Sequence, residues 1–137
     1  MAVSQISVFV ENQPGHLRRI LDTLEAAGLS VRGFLAADTG DCGIVRFILD
    51  KPELGFSVLR EAGFAATRAD VMCARLPDKP GELARVMGVI ADAGINVGYC
   101  YSLISTLIAI HVDDIASAEA AVRHQPIELI SENDKIG

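Results

Sequence analysis

The chain is poor in lysine and contains no run of basic residues. Only three of its 137 residues are lysines, and the formal net charge at pH 7 is −6. Nucleic-acid binding requires clustered Lys and Arg side chains that displace counterions from the phosphates. Anionic membrane surfaces require the same kind of basic cluster. The composition therefore predicts that neither nucleic acid nor membrane is a partner.

Cysteine is also scarce, and its distribution excludes two common uses. Cys42, Cys73 and Cys100 are odd in number, lie far apart and form no Cys-x-x-Cys pair. Neither a zinc site nor a disulfide framework is therefore predicted, and buried thiols in a reducing cytoplasm are expected. The three histidines are not spaced as ligands and no acidic cluster accompanies them, so we predict no metal and no cofactor.

Long apolar runs are missing as well. No stretch reaches the roughly 18 apolar residues of a membrane span, and residues 1–10 lack the basic and apolar regions of an export signal. These observations agree with the cytoplasmic location expected from the cysteines. Half of the residues are nevertheless hydrophobic. That fraction is high for so small a chain and favours apolar surface reserved for another copy, so a homodimer is expected.

An internal repeat is the most informative feature present. Residues 14–31 recur at an offset of 66, with seven of 18 positions identical: Pro14/Pro80, Gly15/Gly81, Leu17/Leu83, Arg19/Arg85, Ala27/Ala93, Gly28/Gly94 and Val31/Val97. Four further positions keep an apolar residue in both copies. The chain is therefore predicted to contain two copies of one module, covering residues 1–69 and 70–137.

Each copy has the pattern of a β-α-β-β-α-β module. In the first copy an alternating strand precedes a turn at residues 11–15, and an apolar helical stripe then runs from Leu17 to Ala27. Pro14 suits the first turn of that helix, and Gly28 suits its end. Two strands, a helix weakened by Gly55 and a short strand at residues 64–67 follow. The second copy repeats the order from a separate strand at residues 70–76, with a turn between its middle strands about three residues shorter. This order predicts an α+β fold of two tandem ferredoxin-like modules, with antiparallel sheets and helices on one face.

The loop after the first strand is the best candidate for a binding site. It joins a strand to a helix N-terminus, where backbone N–H groups without helical partners attract anions. Gly15 and Gly81 lack a Cβ atom, so a ligand carboxylate could approach the backbone closely. The alternative is a tight turn that needs proline and glycine for its geometry alone.

At these residues the sequence resembles the ACT domain family of amino-acid-sensing regulatory modules. The resemblance rests on Asn-Gln-Pro-Gly-x-Leu at residues 12–17 and Ala-Gly-Leu-Ser-Val at residues 27–31. Their counterparts are Asp-Lys-Pro-Gly-x-Leu at residues 78–83 and Ala-Gly-Ile-Asn-Val at residues 93–97. The resemblance covers nearly the whole chain, twice. It implies ligand binding rather than catalysis, with a free amino acid held where two modules meet.

The resemblance also implies which residues would contact the amino acid. They lie in the loops, at the helix starts and at the openings of the following strands: Asn12, Gln13, Gly15, His16, Leu17, Ser30, Asp78, Gly81, Asn96 and Val97. Asn12 with Asn96 would form one site across the module boundary, and Asp78 with Ser30 a less typical one. An asparagine amide both donates and accepts, whereas an ionised aspartate only accepts. The alternative is that Asn12 and Asp78 only brace their own turns.

The two helix starts differ in charge. His16 occupies the position that Glu82 holds in the second copy, and a glutamate there would repel a ligand carboxylate. The helix start of the first copy is therefore expected to be the better anion site.

The leading functional hypothesis is a stand-alone, non-enzymatic regulatory protein that binds an amino acid and signals through a partner or through its oligomeric state. One alternative is a ligand-free interaction subunit of an enzyme of amino-acid metabolism. Another is a small enzyme of the acylphosphatase or mutase type, which this fold also supports. That chemistry needs an arginine on the phosphate loop, and the loop here offers Asn12, Gln13 and His16 instead.

Overall fold

The computed structural model describes residues 2–11, 13–38, 40 and 42–131. By its contacts the chain divides into two compact units. The first unit is Ser4–Ala69, and the second runs from Asp70 onward and includes the chain up to Val3. Within the described residues no helix is both long and apolar enough to cross a membrane.

Helices and strands follow one another in the repeated order that the sequence predicts. Through the first unit the elements are β1 (Val3–Glu11), α1 (His16–Ala26), β2 (Val31–Asp38), β3 (Cys42–Leu49), α2 (Pro52–Glu61) and β4 (Ala65–Arg75). Continuing from β4, the second unit contains α3 (Glu82–Asp92), β5 (Val97–Ser102), β6 (Leu107–Val112), α4 (Ile115–Arg123) and β7 (Glu128–Ile130). The predicted α+β class with ferredoxin-like modules and antiparallel sheets is confirmed.

Strand β4 departs from the prediction of two separate strands at residues 64–67 and 70–76. It is one continuous strand of 11 residues, of which 65–69 fall in the first unit and 70–75 in the second. The polar residues Arg68 and Asp70 at this junction do not end the strand, because polar side chains leave the backbone hydrogen bonds of a strand intact.

Strand pairing within each unit follows the same plan. In the first unit β3 lies between β1 and β2, and Phe47 of β3 is opposite both Ile6 and Phe34. In the second unit β6 lies between β4 and β5, while β7 pairs with β4. All these pairs are antiparallel.

Each unit has its own apolar core on the helix side of its sheet. In the first unit Ile20 and Leu24 of α1 and Leu59 of α2 pack with inward side chains of β1 and β3. In the second unit Val86, Ile90 and Val122 repeat this arrangement. The i, i+3, i+4 stripe found in the sequence is therefore the buried face of α1 and of α3.

Glycine fixes the junction between the first strand and the helix in both units. Gly15 and Gly81 are the N-cap residues of α1 and α3, with φ of +88° and +86°. Residues with a Cβ atom rarely adopt this left-handed conformation, so the glycines are needed for the backbone angle itself. Pro14 therefore lies before the N-cap, and its predicted place in the first helical turn is wrong. Gly28 has a positive φ just past α1, as expected for a helix end.

Candidate functional site

A cavity lies in the first unit where the loop after β1 meets the β2–β3 hairpin. Its volume is about 270 Å³. It is lined by the end of β1, the loop and start of α1, and the facing ends of β2 and β3: Val10, Glu11, Gln13, His16, Leu17, Ala36, Ala37, Asp38, Gly43, Ile44 and Val45. We call it the first cavity.

A cavity of about 240 Å³ occupies the corresponding place in the second unit. Its walls are Leu76, Pro77, Asp78, Lys79, Glu82, Leu83, Ser102, Ser105, Thr106, Leu107 and Ile108. We call it the second cavity. The backbone N–H of Leu76 donates to the Thr106 carbonyl oxygen at 2.7 Å, which ties the hairpin to the end of the first strand of the repeat.

The two cavities are built from equivalent positions. The loop and helix-start residues correspond at an offset of 66, as His16 does to Glu82 (82 − 16 = 66). After the hairpin turn the offset is 63, as for Gly43 and Thr106 (106 − 43 = 63). The change of three confirms the shorter turn predicted for the second copy. The repeat therefore produces the same concave site twice.

The first cavity is acidic. The described residues that line it include the acidic residues Glu11 and Asp38 and no Lys or Arg. The Glu11 carboxylate accepts a hydrogen bond of 3.0 Å from Gln13 Nε2, and Asp38 Oδ1 accepts one of 2.8 Å from the Gly40 N–H. Two negative charges at the rim favour a cationic group over a carboxylate.

His16 is held by the backbone of its own loop. Its Nδ1 atom lies 2.6 Å from the Glu11 carbonyl oxygen. Because a carbonyl only accepts, Nδ1 must carry the proton of this hydrogen bond. Nε2 is then left for other partners, accepting in the neutral ring and donating in the charged one.

The charges of the second cavity are more evenly balanced. Lys79 and Asp78 lie side by side in the loop. The Glu82 carboxylate is 2.7 Å from Arg85 Nη2 and also accepts from Arg85 Nε at 3.1 Å. Both side chains of this ion pair are partly buried, which reduces screening by solvent. The repulsion expected from Glu82 is thus offset by its own helix.

Arg19, the first-unit counterpart of Arg85, has a different contact. Its guanidinium carbon lies 5.4 Å from the centre of the Phe64 ring, within cation–π range. With histidine at position 16 there is no carboxylate at the helix start for Arg19 to neutralise. The arginine shared by both copies therefore contacts an aromatic ring where the helix starts with His16, and a carboxylate where it starts with Glu82.

The hairpin side of the second cavity carries hydroxyl-bearing residues, and the described residues that line the first cavity include none. Ser102 and Thr106 correspond to Ala36 and Gly43. Ser105 also lines the second cavity. Among the described residues it is the one non-glycine residue with a positive φ, which is +64°. Serine and threonine hydroxyls both donate and accept hydrogen bonds, so this wall suits either end of an amino acid.

The predicted loop and helix-start residues that the structure describes line the two cavities or cap the adjoining helices. Gln13, His16 and Leu17 line the first cavity and Asp78 lines the second, while Gly15 and Gly81 cap the adjoining helices. Asn12 lies outside the described residues. The pairings across the module boundary, of Asn12 with Asn96 and of Asp78 with Ser30, stay predictions.

The predicted residues at the strand openings lie away from the cavities of their own units. Ser30 precedes β2, whereas the first cavity touches the end of that strand. Its backbone N–H donates to Asp50 Oδ1 at 2.9 Å, and the Asp50 N–H donates to the Ser30 carbonyl at 3.2 Å. Asn96 is exposed before β5, and Val97 packs against the core of the second unit.

The hairpin walls were missed from the sequence. Ala36 and Asp38 carry no recognisable binding motif, and only the tertiary fold brings them to the loop. For the second cavity a signal was available, because Ser102, Ser105 and Thr106 place three hydroxyls around one short turn. Among the described residues no group of three or more His, Cys, Asp or Glu side chains could hold a metal ion.

Comparisons with known proteins identify the family. A family model described as an ACT domain pair matches residues 1–135, so the chain belongs to the ACT domain pair family. ACT domains are regulatory modules, and no catalytic family is indicated. A comparison with curated proteins finds no match.

Solved structures agree with this fold. A crystal structure of a protein from Bacteroides thetaiotaomicron superimposes with a TM-score of 0.92 at 26% identity, covering 98% of this chain and 95% of that one. The regulatory subunit of aspartate kinase from Thermus thermophilus gives a TM-score of 0.63 at 20% identity, with 88% of each chain covered. The corresponding subunit from Thermus flavus gives 0.66 at 18% identity, again with 88% of each covered.

Proposed function

We propose that this protein is a regulatory ACT domain pair, with modules at residues 1–69 and 70–137, that binds a free amino acid. The observation that carries the proposal is the duplicated cavity between the first loop, the helix start and the hairpin. Both cavities are smaller than the roughly 300 Å³ at which sites for drug-sized ligands begin. They suit a metabolite of few heavy atoms.

The cavity linings fit the chemistry of an amino acid. Each combines apolar strand residues with charged or amide-bearing loop residues, so a ligand with a charged backbone and a modest side chain finds partners for both. A metabolite sensor needs an affinity in the micromolar to millimolar range, about −8 to −4 kcal/mol. One charge contact and two or three hydrogen bonds of about 1–3 kcal/mol each supply this.

Calorimetry against the twenty common amino acids at millimolar concentration tests the proposal. We expect heat from at least one of them. Ala36→Phe and Ser102→Phe would each fill one cavity, and together they should abolish that heat. Arg18→Ala is the matched control, because Arg18 is exposed on α1 and pairs only with Asp22 at 3.6 Å, outside both cavities. Silence from all twenty amino acids would remove the binding claim.

The proposed output is regulatory rather than enzymatic. It is supported by the family, because ACT domains are regulatory modules and no catalytic family is indicated. We propose that the output passes through a homodimer or through a partner enzyme in the cytoplasm. The fold likeness to two aspartate kinase regulatory subunits favours one alternative: a ligand-free interaction subunit of an enzyme of amino-acid metabolism. Regulation of a co-purified enzyme that persists in Asn12→Ala, Asn96→Ala and the filled-cavity variants would support that alternative.

A further inference from the structure

Among the described residues, those lining the second cavity include partners for both ends of an amino acid, whereas those lining the first cavity do not. Lys79 and the hydroxyls of Ser102, Ser105 and Thr106 supply donors for a carboxylate, and Asp78 supplies an acceptor for an ammonium group. All five residues line the same cavity of about 240 Å³.

At the equivalent positions of Lys79, Ser102 and Thr106, which the structure describes, the first cavity has other residues. Gln13 replaces Lys79, and its amide nitrogen is already bound to the Glu11 carboxylate at 3.0 Å. On the hairpin, Ala36 and Gly43 replace Ser102 and Thr106. The remaining charges, from Glu11 and Asp38, repel a carboxylate.

The helix starts reinforce this difference once their contacts are considered. Glu82 would weaken anion binding if its charge were free, but Arg85 neutralises it at 2.7 Å. His16 carries no such partner and hydrogen bonds the Glu11 backbone through Nδ1. These contacts therefore favour the opposite order of anion affinity to the one expected from His16 and Glu82 alone.

The backbone of Ser105 supports a binding role for the hydroxyl-bearing wall. It adopts φ +64°, an angle that glycine reaches without strain, and the first-unit hairpin has Gly40 at φ +98°. The second hairpin instead has a serine with a positive φ, and this serine lines the cavity. Strain at a ligand-facing residue is typical of binding sites.

Building on the proposed function, we propose that the two modules have diverged, so that only the second cavity binds the amino-acid carboxylate. One amino acid is bound per chain, with its carboxylate on Lys79 and the hairpin hydroxyls and its amino group on Asp78. The first cavity accepts ammonium groups but rejects carboxylates.

Amide chemical-shift mapping with three probes tests the assignment. Acetate carries the carboxylate alone, methylammonium the ammonium alone, and alanine both. Acetate and alanine are expected to shift the amides of residues 79–83 and 105–107, leaving residues 13–17 unmoved. Methylammonium is expected to shift residues in both units.

Reciprocal substitutions between equivalent positions provide the control. The double variant Lys79→Gln with Ser102→Ala gives the second cavity the residues of the first at these two positions. The chemical-shift changes caused by acetate should then be at least tenfold smaller. Gln13→Lys with Ala36→Ser makes the opposite change and should create acetate shifts in the first unit. Both pairs alter side chains at the cavity rim and leave the cores intact.

The outcomes separate this inference from the proposed function. Acetate or alanine shifts confined to residues 13–17 would overturn the assignment while leaving amino-acid binding intact. Shifts of equal size in both units would do the same. If none of the twenty amino acids moves any amide of either unit at millimolar concentration, the proposed function fails and the assignment fails with it.

Discussion

Position 55 offers a strong test of how the two cores are packed, because the two units have different residue pairs where the second helix lies on the sheet. Gly55 is buried in α2 where the helix lies on β3. A Cβ atom at this position would overlap Leu49 Cδ1 and would approach Ile6 Cδ1 at 3.4 Å and Leu29 Cδ1 at 3.6 Å. The equivalent pair in the second unit is Ala118 and Val112, at an offset of 63, and both are buried. The unit with the shorter strand residue thus carries the larger helix residue.

Gly55→Ala is therefore expected to destabilise the protein despite alanine's better helix propensity. The propensity term favours alanine by about 1 kcal/mol, whereas overpacking a core costs about 1–3 kcal/mol. The net effect is a loss of about 0–2 kcal/mol. Leu49→Val alone should cost about 1 kcal/mol for the methylene it removes. The double variant reproduces the residue pair of the second unit and should recover the overpacking cost. The coupling free energy between the two substitutions should therefore be favourable by about 1–3 kcal/mol.

Urea unfolding of the wild type, both single variants and the double variant measures this coupling. Gly88→Ala is the control: Gly88 also lies within a helix, but a Cβ there meets no atom within 4 Å. It should gain about 0.5–1 kcal/mol from propensity alone. If the two changes at positions 49 and 55 add within about 0.5 kcal/mol, the packing explanation is refuted.

Three further outcomes are expected. Burial raises the pKa of the Cys73 thiol to about 12, so a thiol reagent at pH 8 should label the exposed Cys42 and Cys100 in the native protein and leave Cys73 unlabelled until denaturant is added. The Ser117 hydroxyl, followed by the Ser117 backbone N–H, lowers the pKa of Asp114 from its usual 3.8. The stability gained from Asp114 is therefore fully present above pH 3.8 and is lost as pH falls through the lowered pKa. The difference in Tm between wild type and Asp114→Ala should be constant near neutral pH and should shrink in acid; a difference that does not shrink as the pH falls below 3.8 would contradict this. Lys51 is the N-cap residue of α2 and makes no side-chain capping hydrogen bond, whereas the N-cap residue of α4 is Asp114, which does. Lys51→Asp should stabilise the protein by about 0.5–1 kcal/mol, measured as a rise in the urea midpoint against Lys51→Ala.

Much of the fold was predictable because local signals and the repeat agree. The apolar stripe of α1, its repetition in α3 and the glycine ends of both helices were predicted from spacing, and the structure has them. Strand β4 was divided wrongly because a polar segment at the module junction looks like a turn. Gly55 was interpreted as a weakness of α2, whereas it is the residue that lets the helix approach Leu49.

The candidate site was harder to predict. The loop at residues 12–17 was recognisable, since its glycine and its place before a helix have local causes. The opposite wall was not, because Ala36 and Asp38 reach the cavity only through the pairing of β2 with β3. The contact between Glu82 and Arg85 was also unforeseen, although a separation of three residues on a helix permits it.

The two hairpins differ in length by three residues, so the turn length varies between the copies while the strands and helices keep their spacing. Lengthening a surface turn by a few residues costs little loop-closure entropy, and it leaves the paired strands and the helix stripes in phase. Mutation in one hairpin can therefore remodel the rim of one cavity while the duplicate cavity keeps its lining. Under the proposed function, this would let one of two equivalent binding sites acquire a new ligand preference while the other keeps the old one.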